Sequence, residues 1–341
     1  MPFLSLNPSR EDYWRSVVLF GLNSASFKFA LAKSLLEFAP STQSFVRLDE
    51  LAVPFIKHLA EHLKISDKQG TSRSSGFLNS VRRFKSGEID LNAVGKITVS
   101  HGFDNVIDAF HVVNRDPIPV RFFTDERKNK GGIVITDELF KLKESVQFLN
   151  LSPEAEGRWR LVETAWQLKL NPALLIVRFD PQSSLLFARD ERRRRIDVTS
   201  SRQALDGYQK GKCFYCFRDI SIDPANADLA DVDHFLPHTL LLRGETEENL
   251  DGVWNLVLAC RECNRGERGK SARIPELKYL ERLHTRNTFL IDSHHPLRET
   301  LIAQTGLTEQ ARQQYLQAHY NEAKRRLIHD WSPLEEMEAA F

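Results

Sequence analysis

The stretch Gly211-Lys-Cys-Phe-Tyr-Cys216 continues through Asp231-Val-Asp-His-Phe-Leu-Pro-His238 and Asp251-Gly-Val-Trp-Asn-Leu-Val-Leu-Ala-Cys-Arg-Glu-Cys-Asn-Arg-Gly266, and it closes on Glu267-Arg-Gly-Lys-Ser-Ala-Arg-Ile-Pro275. It holds all four cysteines of the 341-residue chain, as Cys213-x-x-Cys216 and Cys260-x-x-Cys263, with 43 residues between the pairs. Two such turns brought together offer the tetrahedral sulfur set that zinc prefers, and they pin the ends of an otherwise polar insertion. Metal thiolates in a reducing compartment suit this usage better than disulfides, with a redox pair as the competing use.

Residue chemistry between and beside the pairs suggests a second task. Asp233 offers a carboxylate and Asn264, directly after the last cysteine, offers a carbonyl; both are oxygen ligands suited to Mg2+ or Mn2+. A histidine beside such an ion, here His234, can take a proton from water, and that water can attack phosphorus. If Val232 to Phe235 is extended, Asp233 and His234 point to opposite faces, one toward metal and the other toward water. Asn255, ahead of the apolar run Leu256 to Leu258, has two readings: a group that fixes the imidazole, or a cap or turn residue. A helix beginning around Arg261 and running into 266–270 would carry Asn264 and project Arg265, Arg268 and Lys270 toward a phosphodiester.

The same residues, in the same order, resemble the HNH, or beta-beta-alpha-metal, nucleases of the subclass with a four-cysteine zinc knuckle. The resemblance rests on Cys213-x-x-Cys216, Asp233-His234-x-x-Pro237, Asn255-Leu-Val-Leu-Ala-Cys260 and Cys263-Asn264-Arg265. It implies that His234 is the general base, that Asp233 and Asn264 hold the catalytic ion, and that Asn255 orients the base. The family's name letters fall on His234, Asn255 and Asn264, with asparagine in the third place where many members carry histidine. The HNH domain of RNA-guided Cas9 nucleases is similar at this end, but here Glu267 and Arg268 intervene before Gly269-Lys270-Ser271, which puts a phosphate contact by Lys270 in doubt. About 65 residues are covered, and residues 1–200 are not.

Outward from this stretch the chain reads as mainly helical. Ser9 to Trp14 is a helix entry with a serine cap, and apolar spacing from Val18 to Phe38, interrupted around 21–24, gives two packed helices. Phe45 to Leu63 reads as another, in which His58 and His62 lie one turn apart without a carboxylate partner and are surface or packing residues. Ile97 to Val99 suggests a short strand. Phe122-Phe123 and Ile133 to Ile135 flank a basic turn, predicting a hairpin whose tip either contacts phosphate, as in a winged helix, or is simply solvated. Thr136 to Leu149 reads as helix, Ser152-Pro153 as the start of the next, and 173–179 with 185–188 as strands of a small sheet. Arg189 and Arg192, Arg193, Arg194 and Arg195 mark the expected boundary, as a phosphate-binding run or a solvated linker. Helices are expected over 276–290 and 308–327.

Composition sets wider bounds. Apolar residues make up 41% of the chain, enough for two or three domains with cores, and the net charge is only +1, so any nucleic-acid contact depends on local basic clusters. No window has the roughly 18 apolar residues of a membrane span, and no leader peptide is evident, so the expectation is a cytoplasmic protein. A water-bearing zinc as in deaminases or metalloproteases is excluded, because neither His-x-Glu nor His-Glu-x-x-His occurs.

The expected fold is α+β: a mainly helical region with a small sheet or hairpin over 1–195, a zinc-stabilised nuclease domain over 196–278, and a helical extension over 279–341. The expected function is a metal-dependent endonuclease acting on DNA, nicking as a monomer and cutting both strands as a dimer, with structural Zn2+ and catalytic Mg2+ or Mn2+. Helical N-terminal regions joined to such a nuclease look like the plan of bacterial anti-phage or mobile-element nucleases, with a protein partner of a defence system as the accompanying expectation. The rival reading is a zinc-finger protein that binds nucleic acid or a partner without catalysis.

Overall fold

Amphipathic helices with acidic or serine-type starts carry most of the chain, and small sheets fill the gaps between them. The computed structural model describes residues 8–19, 25–41, 43–70, 75–113, 116–168, 175–189, 195–237, 240, 250–293 and 295–341, with backbone alone at 189, 195, 196 and 199. The fold is mixed α+β, mostly helical with small antiparallel sheets, and it divides into two units, Met1–Ala155 and Glu156–Phe341. Among the described residues no helix is long and apolar enough to cross a membrane.

In the first unit α1 (Arg10–Val18) starts at Ser9, whose hydroxyl accepts from the Asp12 amide while Asp12 returns a bond to the Ser9 amide. This is a reciprocal cap of two otherwise orphaned donors. Then follow α2 (Phe27–Phe38), β1 (Phe45–Arg47), α3 (Leu48–Ile65), α4 (Gly76–Lys85), α5 (Leu91–Ile97), α6 (Val106–Ala109), β2 (Val112–Val113), β3 (Asp116–Pro117), β4 (Phe123–Glu126), α7 (Arg127–Lys130), β5 (Gly132–Ile135) and α8 (Asp137–Lys143). The strand expected at 97–99 is instead helical, with α5 passing into a π turn over Thr98–Gly102. Phe45 to Arg47 is a strand rather than the first helical turn, pairing with β5 on the side away from β4.

The hairpin over 123–135 forms with Phe123 opposite Ile135. Its tip is one helical turn closed by Gly131 at φ 71°, a left-handed conformation that glycine adopts without strain. A Cβ on Gly132 would lie 2.3 Å from the Val46 carbonyl, so close approach of β1 requires glycine there. Arg127 turns back to Asp125, Asp108 and the Phe103 carbonyl, leaving Lys128 and Lys130 exposed at the tip. His62 is buried, a packing role, whereas His58 has a carboxylate partner the local sequence did not show, Glu37 at 2.7 Å.

Helix α9 (Phe148–Gln167) runs through the boundary between the units and starts a turn before Ser152, so Pro153 lies inside it. The second unit continues with β6 (Arg178–Asp180), β7 (Leu185–Arg189), β8 (Arg195–Ser200), α10 (Ser201–Gln209), β9 (Asp231–His234), β10 (Leu256–Ala259), α11 (Arg261–Arg265), β11 (Ile274–Pro275), α12 (Leu277–Asp292), α13 (Arg298–Thr305), α14 (Glu309–Arg326) and β12 (Asp330–Trp331). Arg189 and Arg195 are register partners of β7 and β8, so the arginine run connects two strands of one sheet. Arg192, Arg193 and Arg194 lie outside the described residues, as does the side chain of Arg195.

One apolar core joins Leu161 and Ala165 of α9, Val177 and Phe179, the cysteine-bearing segment, and Leu283, Leu301, Leu316 and Trp331. That core is continuous across positions 195 and 278. The short cysteine segment is therefore wrapped by helices from both sides in sequence.

Candidate active site and metal centre

The two cysteine pairs, far apart in sequence, are brought together in one small framework. Cys213 and Cys216 lie in the turn after α10, where the Cys213 amide donates to the Arg218 carbonyl and Phe217 takes a left-handed φ of 59°. Phe214 donates its amide to the Leu258 carbonyl, and Gln209 reads Leu258 from the other side with both ends of its amide. These bonds tie the first turn to β10. Cys260 follows β10 as the N-cap of α11, its sulfur accepting from the Cys263 amide at 3.4 Å.

All four sulfurs are buried and lie within 4.8 Å of one another. Cys216 and Cys260 are 3.7 Å apart at sulfur, far beyond a disulfide's ~2.05 Å. A zinc tetrahedron with Zn–S of about 2.3 Å has sulfur–sulfur edges of about 3.8 Å, so the donor set fits Zn2+ in both chemistry and size. Burial pushes the Cys213 thiol well above its ordinary range, which a coordinated cation would reverse by stabilising the thiolate. Among the described residues this is the one group of three or more histidine, cysteine or acidic side chains gathered as a metal site. Arg282 caps the knuckle carbonyls of Phe214 and Tyr215 and lies 4.1 Å from the Phe217 ring centroid, and the Met337 amide donates to the Cys216 carbonyl.

Strands β9 and β10 pair antiparallel, with His234 opposite Leu256 and Asp233 opposite Val257. Alternation gives Asp233 and His234 different surroundings. Asp233 is buried; its Oδ2 accepts from the Tyr215 hydroxyl at 2.7 Å, and Lys270 Nζ lies 3.2 Å from its Oδ1. Burial raises the Asp233 carboxyl above the usual carboxylate range, with Lys270 and the Tyr215 hydroxyl working against that. Lys270 also donates to the His234 and Ser271 carbonyls and is 1% exposed. Its ammonium is thus an internal counter-ion, and the phosphate contact considered for it is replaced by this buried pairing.

Asn264 donates its amide to Asp231 Oδ2 at 3.0 Å, and Arg265 grips the same Asp231 carboxylate at 2.9 and 3.0 Å. Asp233 and Asn264 therefore have separate partners, and the oxygen set expected around a divalent ion does not fit one without displacing Lys270. Helix α11 ends at Arg265 rather than running on to 270 because Gly266 turns out of it, with an added Cβ falling 2.6 Å from the Glu262 carbonyl. Arg265 and Arg268 are exposed; the Arg268 carbonyl accepts from the Trp331 indole at 2.7 Å.

His234 is partly buried, with its ring 5.7 Å from Phe179 and its Nε2 3.0 Å from Asp251 Oδ1. Asn255 is fully buried and does not touch the imidazole through any bond seen here. Its Oδ1 accepts from the Leu236 amide, its Nδ2 donates to the Leu236 and Leu250 carbonyls, and its own carbonyl accepts from the Phe235 amide. It staples the chain leaving His234 to the chain entering Asp251.

Tyr215, Asp231 and Asp251 are thus site residues beyond those named from sequence. Asp231 was detectable as the i−2 neighbour of Asp233 on the same strand face. Tyr215 hid between two cysteines, and Asp251 carried no signal before Asn255 folded its loop onto β9. Compared with known protein families, with curated proteins and with solved structures, the chain matches none of them.

Proposed function

We propose that the second unit is a nuclease of the HNH type that hydrolyses phosphodiester bonds in DNA, with His234 as the general base and the four cysteines holding a structural zinc. The observation that carries this reading is the placement of His234. It ends β9 with its imidazole partly buried and paired to a carboxylate, in a β9–β10–α11 run whose β10–α11 junction carries Cys260 and Cys263 and is tied to the turn that holds Cys213 and Cys216. A purely structural finger has no physical need for that arrangement.

In the proposed reaction the imidazole takes one proton from water, the water oxygen bonds to phosphorus, the bond from phosphorus to the leaving ribose oxygen breaks, and that oxygen takes a proton from solvent. Exposed Arg265 and Arg268 supply charge for the phosphate oxygens. The resemblance implies Mg2+ or Mn2+, which enters here as an assay variable. An anti-phage setting is proposed from the plan of a helical region joined to such a nuclease.

The test is conversion of supercoiled plasmid to nicked or linear form with Mg2+, Mn2+ or EDTA, for the native chain and for His234→Ala. Loss of cutting with retained DNA binding supports the proposal; equal cutting by His234→Ala ends it. The rival, a non-catalytic zinc finger, draws on the internal pairing of Asp233 with Lys270 and of Asn264 with Asp231, and it is favoured if the native protein binds DNA but cuts under none of these conditions.

A further inference from the structure

We propose that residues 330–341 form a strap that gates the cysteine cluster: the metal enters and leaves through a cleft that this segment roofs, so the strap sets the rate of zinc exchange. The proposal rests on the structural zinc proposed above and goes beyond it.

After α14 the chain reads Asp330-Trp-Ser-Pro-Leu-Glu-Glu-Met-Glu-Ala-Ala-Phe341, and only its first two residues join a sheet, as β12 parallel to β11. Trp331 is the fixed end. Its ring is buried edge-on to Tyr215 with centroids 5.0 Å apart, its indole donates to the Arg268 carbonyl, and its own carbonyl accepts from the Glu276 amide at 3.0 Å. From this anchor the segment crosses the first cysteine turn. The Met337 amide donates to the Cys216 carbonyl at 2.9 Å, and the Phe341 ring lies 4.9 Å from that of Phe217. Between them Glu336 pairs with Lys278 and Arg282 and accepts from the Tyr279 hydroxyl at 2.5 Å. Arg282 is shared, because the same guanidinium donates to the Tyr215 carbonyl at 3.0 Å.

A cleft of about 270 Å³ lies under the strap, with Cys216, Cys260 and Cys263 on one side and Pro333, Leu334 and Glu335 on the other. The remaining ligand, Cys213, is fully buried, as are Phe214 and Tyr215 beside it, so the core closes that approach. Releasing 333–341 while Trp331 stays in place breaks one amide bond, one carboxylate cluster and one ring contact. Residues 334–339 are already exposed, so opening uncovers little apolar surface. Local opening of such a segment needs far less free energy than unfolding the core around the cysteines. The strap is therefore the low-energy route to the ligands.

The experiment loads the full chain with Zn2+ and follows metal transfer to the chromophore pyridylazoresorcinol under native conditions. Met337→Pro removes the amide hydrogen that reaches Cys216, and Glu336→Gln removes the charge that holds Lys278 and Arg282. Combined, they should speed zinc release about 10-fold or more, with near-UV signal and urea midpoint close to native. Leu316→Ala, a core change on α14 outside the strap, is the contrast: it should lower the urea midpoint and leave zinc release at the native rate. Equal release from the native chain and the combined variant, or release rates that follow the urea midpoint through all variants, overturns the proposal. If the native chain holds no zinc, the zinc reading fails and the gate falls with it; if zinc is held but leaves strap variants at the native rate, only the gate fails.

Discussion

Replacing Lys270 with methionine removes the cation from a buried pair and leaves the Asp233 carboxylate with the Tyr215 hydroxyl as its remaining donor. The charges lie 3.2 Å apart, with side-chain exposures of 1% and 7%. At an effective dielectric of about 20, their attraction is about 5 kcal/mol. Much of that offsets desolvation, so the pair as a whole adds little net stability, but deleting one member strands the other in a dry site and costs about 3–5 kcal/mol. For a unit of this size that lowers the midpoint by about 6–20 °C.

Urea unfolding of the zinc-loaded protein measures the loss, with the slope checked for constancy. Sign follows from the carboxyl. Burial raises it above its unfolded value and Lys270 lowers it; without Lys270 it rises further, so the native state binds the proton more tightly than the unfolded chain does. Stability then falls as pH climbs through that window, and the deficit of Lys270→Met is larger at about pH 7.5 than at about pH 5. The double variant Asp233→Leu/Lys270→Met recovers much of the loss, because neither charge remains buried alone. A loss below about 1 kcal/mol in the single variant, or additive losses in the double, refutes the pairing.

Two further outcomes follow from other sites. Elemental analysis should find one Zn2+ per chain, and removing it with a strong chelator, or replacing Cys260 with alanine, should unfold the second unit as read by the near-UV signal of its buried Trp254 and Trp331; a native signal in metal-free protein contradicts the zinc role. In the first unit, His111 Nε2 accepts from the Phe122 amide, and burial with nearby Arg121 and Lys28 lowers its pKa from 6.5 to about 3. Its contribution is complete above about pH 6.5 and is lost as pH falls toward 3, so the first unit should lose about 2 kcal/mol by about pH 5. His111→Gln, which keeps an acceptor, should flatten that pH dependence in thermal melts; an unchanged slope would count against it.

Helix segments such as 10–18, 27–38 and 277–292 were legible because each carries apolar residues at the helical period, and Ser9 adds a local start signal to the first. The extended segment supposed at Val232 to Phe235 forms a strand one residue earlier, at Asp231–His234. Other short elements were not legible. Phe45 to Arg47 joins a sheet because Gly132, far along the chain, leaves room for it, and Ile97 remains helical because α5 runs on into the π turn. The arginine run joins two strands of one sheet, with Arg189 and Arg195 as register partners, a long-range pairing that charge patterning cannot encode.

At the central stretch, sequence alone pointed to the capacity to bind a metal ion. Four cysteines at C-x-x-C spacing are a donor set suited to one tetrahedral ion, and in the folded chain their sulfurs converge. The tertiary structure decided the charge partners. Lys270 is swung inward onto Asp233 after α11 stops at Arg265, Asn264 and Arg265 meet Asp231, and Asp251 is folded against His234 by the amide of Asn255. Residue type and spacing name the groups able to ionise or ligate, but which groups neutralise one another depends on burial and on distances of about 3 Å, and those exist only once the loops have closed.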